Sequence, residues 1–430
     1  MTTLVQDTTL KLNQEQEKLR ELIENTNQHV FITGKAGTGK STLLQELKNS
    51  SSKELVVVAP TGVAALNIGG QTIHSFFKIK PTGFIDKKQL KVSQESKKLF
   101  NKINTVIIDE ISMVRADLMD AIDFILKQAR QCSEPFGGAQ IIMFGDLYQL
   151  PPVVADKSLE QYLREVYGGF YFFNANVWSE ADLEIHELKE NMRQKDEEFR
   201  EILDAIRIRE FDTALLNSLN ERAQVQPPNN DFITLALTNS AVQAINLEKL
   251  NALHSKKHEY KAKIEGHLEP SAYPTEQKLQ LKEGAQVMFL KNDREGRWVN
   301  GSIGTIFSLS RNEVEVELDG EIHVIKPEKW DKIRYSIDSD SNKITEETVS
   351  SFKQFPLRLA WAITVHKSQG QTLDRVVLDM GRGAFAHGQT YVALSRCRKL
   401  DQLYLKREIK ARDIIIDPQV SDFMRKTIKN

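Results

Sequence analysis

Residues 34–41 read GKAGTGKS, directly behind the apolar run HVFITG and ahead of the helical pattern STLLQELKN. This is a complete phosphate loop. Its glycines let backbone N–H groups approach phosphate oxygens, Lys40 reaches the β and γ oxygens, and Ser41 offers a hydroxyl to a magnesium ion. Gly34, Gly37, Thr38, Gly39, Lys40, Ser41 and Thr42 form the expected nucleotide cradle. Asp109 and Glu110 end the strand-like run TVIIDE. There Asp109 can hold the magnesium shell while Glu110 polarises an attacking water, which favours hydrolysis over transfer to a small acceptor. In GDLYQLPPV, residues 145–153, Asp146 and Gln149 sit where a side chain can sense the γ-phosphate. Positive charge on the transferred oxygens is expected from Arg193 in ENMRQ and Arg396 in ALSRCR, although on residue type alone a surface ion pair is the usual fate of a lone arginine. A second polar cluster, AITVHKSQGQT at residues 362–372, reads by itself as a phosphate-facing loop.

These residues need strand ends to hold them. HVFITG, ELVVVAP, TVIIDE and AQIIMFGD read as buried parallel strands, with helical patterns between them. The alternation predicts a doubly wound sheet with its ligands at the carboxyl ends of the strands. A second alternating set, ADLEIHEL, FITLALT, LAWAITV, RVVLDM and QLYLK, predicts another α/β lobe without a phosphate loop, and a helix is expected through TYVALSRCRK. From residue 281 the runs AQVMFLKND, GTIFSLS, EVEVELD and EIHVIKP predict a small antiparallel barrel inserted into that lobe. The expected division is 1–183 for the first lobe, with a small insertion at about 77–100. The second lobe takes 184–280 and 356–430, and the barrel takes 281–355.

The 430 residues suit two or three domains, and 40% hydrophobic with 27% charged residues is an ordinary globular balance. A net charge of -1 confines any nucleic-acid grip to a local stripe. Two cysteines, Cys132 and Cys397, with no CxxC pair argue against a zinc or disulfide framework and for a reducing interior. The N-terminus lacks the pattern of a secretory or mitochondrial leader, and no apolar run approaches a membrane span, so an intracellular place in cytoplasm or nucleoid is expected.

Taken together, APTGVAALNIGGQTIHSFF (59–77), DEISMVRADLMDAID (109–123), PFGGAQ (135–140), GDLYQLPPV and WAITVHKSQGQTLDRVVLD (361–379) closely resemble the petite-integration-frequency (Pif) DNA helicases of superfamily 1B. The likeness runs from LNQEQ at residue 12 to LSRCRKLDQLYL, and the segment from Ile111 to about Arg130 carries the signature that separates this family from bacterial RecD-like relatives. It implies two RecA-like lobes, a wedge near 77–100 and an SH3-like barrel. It implies ATP and Mg2+ as cofactors, and 5′-to-3′ unwinding of tailed duplex, extending to G-quadruplex DNA, in repair, recombination and telomere or genome maintenance. A monomer with a DNA-induced dimer is the implied assembly. Gln16 would read the adenine, Gln149 would link nucleotide state to DNA, and Arg193 and Arg396 would be fingers across the cleft. Thr61, Asn67 and His74 in one lobe, with Thr238, Asn239, Thr364, His366 and Lys367 in the other, would contact single-stranded DNA, while Gln369 and Gly370 face the nucleotide. For His74 and His366 the alternative is a satisfied core or hinge histidine. A translocase without unwinding, a small-molecule phosphotransferase and a binding module with a degenerate ATP site are the alternatives.

Overall fold

The computed structural model describes residues 12–81, 83–154, 156–191, 196–227, 232–293, 295–338 and 343–428. Its first sheet joins β1 (His29–Gly34), β2 (Leu55–Ala59), β3 (Gln71–Thr72), β4 (Thr105–Ile108), β5 (Gln140–Phe144) and β6 (Leu183–Leu188), in the order β3-β2-β4-β5-β1-β6. Every pairing is parallel. The central strands are apolar on both faces, so both must be covered. Val30, Ile32, Val57 and Ile107 pack with Leu19 and Ile23 of the helix Gln14–Asn25 and with Leu43, Leu44 and Leu47 of the helix Lys40–Ser50. Phe31, Val56, Val58, Val106 and Ile108 face the other side, with Ile122 and Leu126 of the helix Ala116–Arg130.

β6 corrects the sequence reading. ADLEIHEL was expected to open the second lobe, yet it pairs along β1 from His29↔Leu183 to Gly34↔Leu188. Its half-exposed pattern is that of an edge strand, and nothing in its composition says which sheet has the free edge. The first lobe therefore continues through Leu188.

The second sheet is also parallel, in the order Ala362–Thr364, β7 (Ile233–Ala236), Val376–Asp379 and Leu403–Leu405. The helix expected through TYVALSRCRK is shorter, Gln389–Leu394, and leaves Arg396 on the turn beyond it.

Between these strands, Gln286–Phe289, Ile303–Leu309, Val314–Leu318, Glu321–Ile325 and Leu357–Leu359 form a five-stranded antiparallel sheet with its own core, including Val287, Phe289, Ile306, Val316 and Leu357. Antiparallel pairing begins upstream of Leu281, since His258–Lys261 pairs with Lys278–Leu281. A long hairpin, Glu328–Ile337 with Ile344–Gln354, was not anticipated. It docks on the first lobe, where Tyr335 Oη accepts from Val57 N at 3.1 Å and its ring meets Phe76 edge-on. The segment at 77–100 carries a short 3-10 turn, Lys87–Gln89, and enters the helix Gln94–Lys102. Among the described residues no helix is long and apolar enough to cross a membrane.

Candidate nucleotide site at the seam of two lobes

The phosphate loop joins β1 to the helix Lys40–Ser50. A side chain at Gly34 would place its Cβ 2.7 Å from Thr38 Oγ1 and 2.8 Å from the Leu188 carbonyl, so only glycine fits between loop and edge strand. Lys40 Nζ donates to the carbonyls of Gly34 at 2.6 Å and Lys35 at 2.9 Å, lying over the loop it follows. Above the loop opens a cleft of about 650 Å³. The first lobe lines it with Ala36 to Thr42, Asp109, Glu110, Gly145, Asp146 and Gln149; the second lobe contributes Gly370, Thr372, Arg396, Arg398 and Lys399. Most residues expected at the nucleotide therefore converge there.

Two acids form the floor. Asp109 Oδ1 accepts from Glu110 N at 2.9 Å, and Glu110 is held at φ 50°, a left-handed backbone that a non-glycine residue adopts only under constraint. Burial pushes the Asp109 carboxyl up to about 6. Burial, then the neighbouring Asp109 charge, pushes Glu110 up to about 7 against the pull of Lys40 and Arg396. A divalent cation suits this environment. No cluster of three or more metal-ligating side chains occurs among the described residues, and Mg2+ is characteristically held by one or two carboxylates with phosphate and water completing its shell. Ser41 and Asp109 fit that role.

The lobes are tied across the cleft by specific bonds. Gln369 Nε2 donates to Glu110 Oε2 at 2.9 Å, Ala36 N donates to Tyr391 Oη at 3.1 Å, and Lys35 pairs with Asp204 at 2.6 Å. His387 Nδ1 accepts from Asp417 N at 2.9 Å, which leaves the proton on Nε2 to be donated to the Leu147 carbonyl at 2.7 Å. Gly388, at φ 74°, lies so close to the Tyr148 and Gln149 carbonyls that a Cβ would collide with them.

Arg396 is buried and faces this cleft. Its Nε donates to the Val392 carbonyl at 2.9 Å, Nη1 to those of Ser368 and Gln371 at 3.3 and 3.2 Å, and Nη2 to Ser395 Oγ at 2.8 Å. Arg193 lies outside the described residues. Gln16 does not line the cleft. It closes a capping box with Asn13 and donates from Nε2 to the Gly39 carbonyl at 3.0 Å, tethering the loop from behind. Gln149 donates to Asp146 Oδ2 at 3.3 Å.

One residue of the seam was missed. Arg207, on the helix Glu197–Ile208, is buried with Nη2 3.1 Å from Asp146 Oδ1, and its guanidinium stacks over Tyr148 at 4.5 Å. Although burial alone would raise the Asp146 carboxyl, Arg207 and then Lys40 hold it below its usual range. The signal was present. Phe199, Ile202, Leu203 and Ile206 make the buried stripe, and Arg207 occupies the position four after Leu203 where an apolar residue would be expected. Arg207→Ala should destabilise the protein by about 3–5 kcal/mol, because a buried carboxylate loses its partner. Chemical denaturation checks this; an unchanged midpoint would remove Arg207 from the seam's supports.

The residues expected at DNA follow the ends of paired strands: Thr61 and His74 come just after Ala59↔Thr72, and Thr238, Asn239, His366 and Lys367 just after Ala236↔Thr364. Thr61 and Thr238 cap the helices Gly62–Asn67 and Asn239–Ala252. Asn67, Asn239, His366 and Lys367 are exposed, while His74 is half-buried. Thr364 is buried and its Oγ1 accepts from Lys367 N at 3.2 Å, so it shapes the turn that displays its neighbours.

Comparison with known proteins agrees with this architecture. Residues 11–226 match the PIF1-like helicase family. The ATP-dependent DNA helicase Pif1 of Bdellovibrio bacteriovorus is 32% identical over 97% of this chain and 92% of its own length. The ATP-dependent DNA helicase PIF1 of Mus musculus is 36% identical over 91% of this chain, which spans 59% of the mouse protein. Unliganded Pif1 from Bacteroides superposes with a TM-score of 0.90 at 37% identity, covering 98% of both chains. Bacteroides Pif1 bound to ssDNA, at 38% identity and 97% coverage of both, gives 0.70, so the lobes here are arranged as in the DNA-free relative. By sequence over nearly its whole length, and by the arrangement of both parallel sheets, this chain belongs to the PIF1-like helicase family.

Proposed function

We propose that the protein is an ATP-dependent DNA helicase whose two lobes close on one nucleotide and move along a single strand. The observation that carries this reading is the shared cleft, in which Gln369 and Arg396 of the second lobe reach the Glu110 floor of the first. Lys40 and the loop amides hold the β and γ oxygens, and Mg2+ bound through Ser41 and Asp109 would supply charge neutralisation there. Glu110 takes a proton from the attacking water as the new O–P bond forms and the bond to the β-phosphate oxygen breaks, releasing ADP and phosphate. Arg396 meets the charge that develops on the transferred group, with Arg193 expected beside it. Gln149 and Asp146, held by Arg207, connect the γ-phosphate position to the seam.

Single-stranded and tailed duplex DNA are the proposed substrates, with travel 5′ to 3′ and G-quadruplex unwinding as further activities. Repair, recombination and genome or telomere maintenance follow as proposed roles in the cell interior. The protein is proposed to act as a monomer that pairs on forked DNA. A solved structure of two coordinating Pif1 helicases at forked duplex supports the pairing. Strand displacement from duplexes carrying opposite tails tests the direction. Opening of 5′-tailed duplex alone is expected; faster opening of 3′-tailed duplex would overturn the assignment.

A further inference from the structure

The turn after the strand Ala362–Thr364 holds two groups of the hydrolytic site at once. Gln369 Nε2 donates to Glu110 Oε2 at 2.9 Å, while the carbonyls of Ser368 and Gln371 accept from Arg396 Nη1 at 3.3 and 3.2 Å. The turn is internally braced. Ser368 N bonds to the Thr364 carbonyl at 3.0 Å, Gln371 N to that of Ser368 at 3.0 Å, and Lys367 N to Thr364 Oγ1 at 3.2 Å. Such a unit moves as one body, and it shows His366 and Lys367 on its exposed side.

We infer that Gln369 is a positioning residue that restrains Glu110 until a DNA strand seats on His366 and Lys367 and draws the turn away. The inference rests on the helicase reading above and adds the residue through which DNA would govern hydrolysis. A carboxylate oxygen that accepts from the Gln369 amide has one lone pair fewer for the attacking water, and its rotamer is fixed toward the seam. Glu110 already holds a left-handed backbone with its N–H on Asp109 Oδ1, so relief by a backbone shift would disturb the Asp109 carboxylate as well. Arg396 Nη1 is engaged by the same turn, so one displacement releases Glu110 and loosens Arg396, which keeps its bonds to Val392 and Ser395.

The test is ATP turnover of the full chain, with and without an oligothymidine strand, for wild type, Gln369→Ala and Gln369→Asn. Asparagine keeps the amide but falls one methylene short of Glu110, and it guards against an effect of the lost side-chain volume. For both variants DNA-free kcat should rise roughly tenfold, the effect of removing one hydrogen bond to a charged group. The DNA-free rate should rise more than the DNA-saturated rate, so the stimulation ratio of DNA-saturated to DNA-free kcat falls. A merely structural residue would lower both rates together. If wild type is DNA-stimulated and neither variant gains DNA-free turnover, the restraint is overturned alone. If wild type itself ignores DNA, the helicase reading fails and takes the restraint with it.

Discussion

Arg396→Ala is expected to lower ATP turnover by roughly 10³–10⁵-fold, the range an arginine contributes to phosphoryl transfer. Nucleotide should still bind, because the loop, Lys40 and Ser41 belong to the other lobe. The arginine is close enough to matter already, lining the cleft opposite Lys40 and drawing down the Glu110 carboxyl. A structural effect must be separated from a catalytic one. The guanidinium satisfies the Val392, Ser368 and Gln371 carbonyls, and a buried group left unpaired costs about 1–3 kcal/mol. Thermal melting and binding of a fluorescent nucleotide analogue measure that loss directly. Near-normal turnover in a folded variant would remove Arg396 from the site; collapse of turnover with binding intact would place it there.

Legibility in the sequence followed the distance over which each feature is decided. The loop from Gly34 to Thr42, and the acids closing TVIIDE, are local: a strand, a turn and a helix in immediate succession leave one arrangement. The parallel sheets were legible for the same reason, since strands apolar on both faces must lie inside. The bond between Gln369 and Glu110 was not legible from spacing, because it joins residues separated by 259 positions and depends on how two complete lobes meet. Arg207 and Asp146, 61 positions apart, obey the same limit, although the arginine's place on an apolar stripe was a readable hint. β6 was misplaced because an edge strand is defined by its neighbour. The hairpin Glu328–Ile337 with Ile344–Gln354 escaped because its charged residues dilute an alternation that Trp330, Ile333, Tyr335 and Phe352 carry inward.

Lys40→Ala should reduce ATP turnover by at least about 10²–10³-fold, the loss seen when one fixed electrostatic donor is removed from a reacting centre. Two roles are lost together. The ammonium no longer meets the β and γ oxygens, and the carbonyls of Gly34 and Lys35, which accept from it at 2.6 and 2.9 Å, turn toward the phosphates without compensation. Those carbonyls would repel the very oxygens the loop amides attract, so nucleotide affinity should fall as well. DNA is a different matter. Thr61 and His74 follow strands β2 and β3, and His366 and Lys367 lie on the second lobe, whereas Lys40 donates to the loop carbonyls of Gly34 and Lys35. Fluorescence anisotropy of a labelled oligothymidine should therefore report single-strand binding close to wild type, while phosphate release is nearly abolished. Loss of both would mean that the strand-binding surface is assembled only when the phosphate loop is intact, and that the two grips are one structure.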